Sequence, residues 1–123
     1  MTTQKNPGDR LALLQGTLDL LILKTLVLGQ RHGQGIARSI QRQSEEAFFV
    51  DHGSLYLALQ RLEERKWIAA RWGVSENNRK ARFYSLTAKG REQLLEKTSE
   101  WERLTRAMGL VLGGNANPGG EEA

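Results

Sequence analysis

The chain has no cysteine, which excludes disulfide scaffolds, thiolate zinc sites and thiol redox chemistry. Its two histidines, His32 and His52, have no second histidine or carboxylate pair at ligand spacing. A metal centre is therefore not expected, and a turn or capping role suits both rings better. There is no glycine-rich phosphate loop. Asp51, His52 and Ser54 crowd one predicted helix end, where they do not form a base-oriented nucleophile. No catalytic residue and no cofactor are expected. The apolar run Leu18–Leu28 is broken by Asp19, Lys24 and Thr25 and falls short of the ~20 residues that span a bilayer. No secretory leader pattern precedes it, so the expectation is a cytoplasmic protein with no membrane partner.

What the chain does have is positive charge in one place. Lys and Arg number 18 against 14 Asp and Glu in 123 residues, a formal net charge of +4. That length holds one domain with a modest core. Between positions 79 and 91 stand Arg79, Lys80, Arg82, Lys89 and Arg91 with no acid among them. A clustered excess of this kind points to a polyanionic partner more sharply than net charge does.

Apolar periodicity predicts four helices. The first starts near Gln15–Thr17, with Thr17 as a candidate N-cap, and runs to about Leu28; its wide apolar face suggests more than one packing partner. Gly29 stops it and residues 30–33 read as a turn. A second helix fits Gly33–Gln43, with Ile36, Ala37 and Ile40 inward, and Phe48–Val50 reads as an apolar link or minor strand. Asp51 or Ser54 caps a third helix running to about Lys66, in which Leu55, Ala58, Leu59 and Leu62 form the buried stripe. Trp67–Trp72 and Ala81–Leu86 read as strands of a hairpin with a charged tip.

The last helix, about Thr87–Leu112, repeats Leu94, Thr98, Trp101, Thr105, Met108 and Leu112 at alternating spacings of four and three, broadened by Leu104 and Val111. Such a seam exceeds what a small domain can cover, so a second copy is the expected partner. The fold class is α+β, mainly helical: a winged helix-turn-helix with a long C-terminal dimerisation helix. The division is a flexible arm at 1–12, a DNA-binding domain at 13–86, the dimerisation helix at 87–112 and a disordered tail at 113–123.

Helix three followed by a basic hairpin is the order in which a recognition helix enters the major groove and a wing follows the backbone. Gly53 lets the backbone approach DNA, and Ser54 and Tyr56 offer hydroxyls to phosphates. Gln60 can read adenine, and Arg61 shares the outer faces of the helix. Arg79, Lys80 and Arg82 form the wing cations. The plain alternative for these residues is a core helix and a solvated turn. Trp67, Trp72 and Trp101 suit packing; the sharper reading makes Trp72 and Trp101 a candidate ligand pocket between subunits.

Three segments carry a family resemblance: Leu18–Leu28 followed by His32-Gly33, then Gly53-Ser-Leu-Tyr-Leu-Ala-Leu-Gln-Arg-Leu-Glu63, then Arg82-Phe-Tyr-Ser-Leu-Thr-Ala-Lys-Gly90. Together they resemble the PadR family of winged-helix transcriptional regulators, over about Leu13–Trp101. The resemblance implies a dimer that represses promoters at palindromic DNA and, in some members, releases it on binding a small molecule. By position, Gly53, Ser54 and Tyr56 look like the DNA-facing start of the recognition helix, and Arg79 and Lys80 like the wing contacts. Trp101 lies on the helix that packs against the partner's first helix, so the implied interface joins Leu18, Leu21 and Ile22 to Leu94, Trp101, Leu104 and Met108. Gln34 stands where members commonly have tyrosine, and Leu57 where they have proline.

The resulting expectation is a sequence-specific regulator bound to double-stranded DNA as a homodimer, repressing in sign, with a small-molecule effector as a candidate further partner. The alternative is a winged-helix module for protein or non-specific nucleic-acid contacts.

Overall fold

A computed structural model describes residues 15–113. The expected N-terminal arm and all but the first residue of the expected tail lie outside the described residues. Four helices, α1 (Gln15–Thr25), α2 (Gly33–Gln43), α3 (His52–Glu64) and α4 (Ala88–Leu112), accompany a sheet of β1 (Arg31–His32), β2 (Ile68–Val74) and β3 (Lys80–Leu86). The sheet order is β1-β3-β2, antiparallel throughout. This is the winged helix-turn-helix with a C-terminal helix.

Side chains accept the exposed backbone N–H groups at three helix starts, which fixes where each helix begins. Asp51 Oδ1 accepts from Ser54 N at 2.7 Å, and Thr87 Oγ1 from Gly90 N at 3.0 Å. His32 caps α2 through Nδ1, 3.1 Å from Gly35 N. Thr17, expected as a cap, lies inside α1, which begins at Gln15 and passes at Thr25 into a 3-10 turn over Leu26–Leu28.

The segment expected to be only a turn contains β1, whose Arg31 and His32 pair with Tyr84 and Phe83. Phe48 forms an isolated bridge within the expected apolar link. Gly113, expected to open the tail, caps α4 in the left-handed region (φ 76°), its N–H 3.0 Å from Gly109 O.

Leu55, Ala58, Leu59 and Leu62 of α3 are all buried, against Ile22, Leu23 and Leu26 of the first helical segment, Ile36 and Ile40 of α2, and Ile68 and Tyr84 of the sheet. Trp67 closes this core beside Leu62. Asp19 of α1 is 5% exposed inside this assembly. Its carboxylate is held by Arg61 of α3, Nη2 at 2.7 Å and Nε at 3.4 Å. A buried carboxylate needs such a partner, because desolvation otherwise disfavours its charge.

The start of α4 is locked to the sheet. Thr87 Oγ1 also lies within hydrogen-bond distance of Lys66 O and Trp67 O. Gly90 is buried so closely that a Cβ there would stand 2.0 Å from Trp67 O. The glycine is therefore required by backbone approach, not by conformation.

Candidate nucleic-acid interface

Helix α3 and the β2–β3 hairpin face each other across an open cleft of about 490 Å³. The Asp51 cap points the first turn of α3 into solvent, where Gly53, Ser54 and Tyr56 are exposed. Tyr56 is 60% exposed, and Gln60 is exposed one turn later. Ser54 is already engaged: its Oγ lies 3.2 Å from Asp51 Oδ2. The two Ser54 bonds hold the Asp51 carboxyl below its usual range.

Register builds the other wall. Val74 opposes Lys80, Trp72 opposes Arg82 and Ala70 opposes Tyr84, so these side chains share one face of the sheet. Trp72, 60% exposed, lies under two cations, with Lys80 Nζ 5.6 Å and Arg82 Cζ 5.9 Å from its ring centroid. Arg79 is exposed in the turn, which is closed by Ser75 N donating to Arg79 O at 2.8 Å. Asn78 takes φ 60° in that turn, a left-handed conformation that asparagine tolerates better than most residues. Burial pushes the Tyr84 hydroxyl pKa up, against the opposing pull of Arg82.

Tyr56, Arg79, Lys80 and Arg82 thus line one cleft, whereas Gln60 stands exposed further along α3. Two of the expected DNA cations have partners within the chain. The Arg61 guanidinium holds Asp19, so its position on α3 serves packing against α1. Arg82 forms an ion pair with Glu63 at 2.9 Å, which ties the wing to the far end of the recognition helix. Arg38 and His52, which sequence alone does not mark as site residues, also line the cleft, as does Gln34. The start of α2 is the signal for Gln34 and Arg38: helix two of a helix-turn-helix flanks the DNA backbone.

The expected self-contact residues divide. Leu18, Ile22 and Leu94 are buried within the chain's own core, because α1 spends its broad face on α2, α3 and α4. Leu21 is half-buried, while Trp101, Leu104 and Met108 are exposed on α4. A groove of about 330 Å³ runs between the helices, lined by Gly16, Thr17 and Leu20 of α1 and Lys97, Trp101 and Leu104 of α4. Trp72 lines the wing cleft and Trp101 this groove, so within one chain the two rings do not meet. No helix among the described residues is long and apolar enough to cross a membrane.

Known proteins share this arrangement. A transcriptional regulator from Clostridium thermocellum is 28% identical, with a TM-score of 0.70 over 76% of this chain and 91% of that one. A PadR family transcription regulator from Clostridium difficile is 29% identical, with a TM-score of 0.68 over 77% of this chain and 97% of its own. A PadR-like regulator from Bacillus cereus is 27% identical, with a TM-score of 0.70 and coverage of 83% and 97%. An uncharacterised protein of Lysinibacillus sphaericus is 29% identical over 102 residues, 83% of this chain and 94% of that protein. The model of the transcriptional regulator PadR-like family matches residues 22–96, more than half of the chain and the whole of the cleft. The chain therefore belongs to the PadR-like family, and is a non-enzymatic, DNA-binding transcriptional regulator.

Proposed function

We propose that the protein binds a palindromic operator as a homodimer and represses transcription there. The observation that carries this reading is the cleft: an exposed helix start with Tyr56 faces Arg79 and Lys80 of the wing across one open channel. Gly53, Ser54 and Tyr56 meet the backbone at the mouth of the major groove, and Gln60 reaches a base edge. The wing cations take the phosphates beyond it. Two such helices related by a two-fold axis would enter successive major grooves about 34–36 Å apart.

The exposed apolar row Trp101, Leu104 and Met108, continuous with the α1–α4 groove, supports the second copy. A repressor needs no further chemistry, since occupancy of the operator excludes the polymerase. Trp72 and Trp101 stand as two separate candidate effector contacts. Trp101 would complete a pocket only between subunits.

Binding titrations of a labelled operator duplex at several salt concentrations test the assignment. Arg79→Ala and Lys80→Ala should each reduce the slope of log affinity on log salt by about 1. Tyr56→Ala should weaken binding with the thermal midpoint unchanged. Wild-type affinity and slope in all three variants would remove this face from the DNA contact.

A further inference from the structure

Phe83 lies on the opposite face of β3 from Arg82 and Tyr84, and where it meets α2 there is a second pocket of about 390 Å³. Its charged lining is Arg31, Arg38, Arg42 and Glu76. Gly35, Arg38 and Arg42 follow one another at helical spacing on one side of α2. The missing side chain at Gly35 leaves the His32 ring and Arg31 Cβ within 4 Å of where a Cβ would stand, which brings Arg31 close against the helix.

These guanidiniums are under-used. Arg31 Nε is buried with no hydrogen-bond partner. Arg38 approaches Glu76 only to 4.0 Å, with both side chains exposed, too far for a hydrogen bond. The Arg42 side chain makes no hydrogen bond or ion pair among the described residues. Three cations around one hole, with a single carboxylate at its rim, attract an anion. Guanidinium forks in particular match the paired oxygens of a phosphate.

We propose that this pocket is an oxyanion site that takes a phosphate group. Arg31 Nε donates from the buried side and the exposed Arg38 and Arg42 close on the remaining oxygens. The phosphate comes either from the DNA backbone beyond the reading cleft or from a free phosphorylated small molecule. Arg38 and Glu76 line both this pocket and the wing cleft, so a bound anion competes with Glu76 for the Arg38 guanidinium. The site does not depend on the operator being palindromic.

Calorimetric titration of the full chain with pyrophosphate at low salt tests the proposal. Saturable binding is expected, weakened at least tenfold by Arg42→Gln. Arg31→Lys, which keeps the charge but removes the Nε donor, should weaken it comparably. Lys80→Ala, on the wing, should leave it intact. Duplex binding by Arg42→Gln then identifies the source. A salt slope lowered by about 1 assigns the pocket to a DNA phosphate, and an unchanged slope assigns it to a free phosphorylated molecule. Absence of saturable binding overturns the proposal. So does binding that survives Arg42→Gln and Arg31→Lys, or that is lost as strongly in Lys80→Ala.

Discussion

Asp19 and Arg61, 42 positions apart, meet at 2.7 Å and join the first helix to the recognition helix. The carboxylate is nearly enclosed while the guanidinium keeps some solvent, so the two partners are not equivalent. Removing the arginine strands a buried negative charge. Arg61→Ala should therefore destabilise the fold by about 3 kcal/mol, read as a lower urea midpoint. Replacing both residues with apolar ones of similar size should recover most of that loss. An Arg61→Ala protein of wild-type stability would show that the pair holds nothing together.

Two glycines separate a packing requirement from a binding one. At Gly90 an added methyl meets the Trp67 carbonyl, and relief requires moving α4 away from the sheet. Gly90→Ala should cost about 2–3 kcal/mol, the upper range for overpacking. At Gly53 the nearest atom to a new Cβ is Asp51 Oδ1, at 3.8 Å, an ordinary contact. Gly53→Ala should leave the thermal midpoint unchanged or raise it slightly, yet weaken DNA binding if the backbone approaches phosphate there. Unchanged DNA affinity would remove Gly53 from the contact surface.

The cap of the recognition helix makes stability depend on acid. Asp51 has its pKa lowered chiefly by the Ser54 N–H and then by the Ser54 hydroxyl. A carboxylate with a depressed native pKa contributes its full stabilisation above the unfolded-chain value and loses it as pH falls through the lower native value. Asp51→Asn keeps a capping oxygen without that titration, so its stability should fall less steeply over this acidic window. Asp51→Ala removes the cap at every pH, at a cost of about 1 kcal/mol. Parallel stability–pH curves for wild type and Asp51→Asn would contradict the assignment.

The apolar row on α4 predicts a change of mass. Trp101, Leu104 and Met108 are exposed in one chain, and a second copy would cover them. Trp101→Ala combined with Met108→Glu should shift sedimentation from dimer to monomer with little loss of helix content. Operator binding should weaken strongly, because each chain then carries a single half-site contact. A variant that still sediments as a dimer would place the self-contact elsewhere.

Much of the fold is legible because its signals are local. The four-residue stripe of α3 and the Asp51 cap each follow from spacing or side-chain type within one turn, and the structure has them. What sequence does not show is pairing over distance. β1 is two residues between a tight turn and a helix, too short for any period to register, and it exists because Tyr84 and Phe83 offer an edge. Arg61 looks like an outward cation until Asp19 lies beside it, and Arg82 does so until Glu63 does. Leu18 and Ile22 look surplus because periodicity counts apolar residues without saying how many neighbours cover them. At the cleft, Tyr56 and the wing cations stood out by type, whereas Arg38 and His52 joined them only through the packing of α2 and α3 against the wing.

Selection of bound duplexes from a random pool, with the full chain at moderate salt, tests most directly whether this face reads sequence. The account predicts one inverted repeat with half-site centres about one helical turn apart, and a preference relaxed at one position of each half-site when Gln60→Ala replaces the wild type. Uniform, salt-sensitive binding without enrichment would contradict it and leave the basic wing as a general polyanion surface.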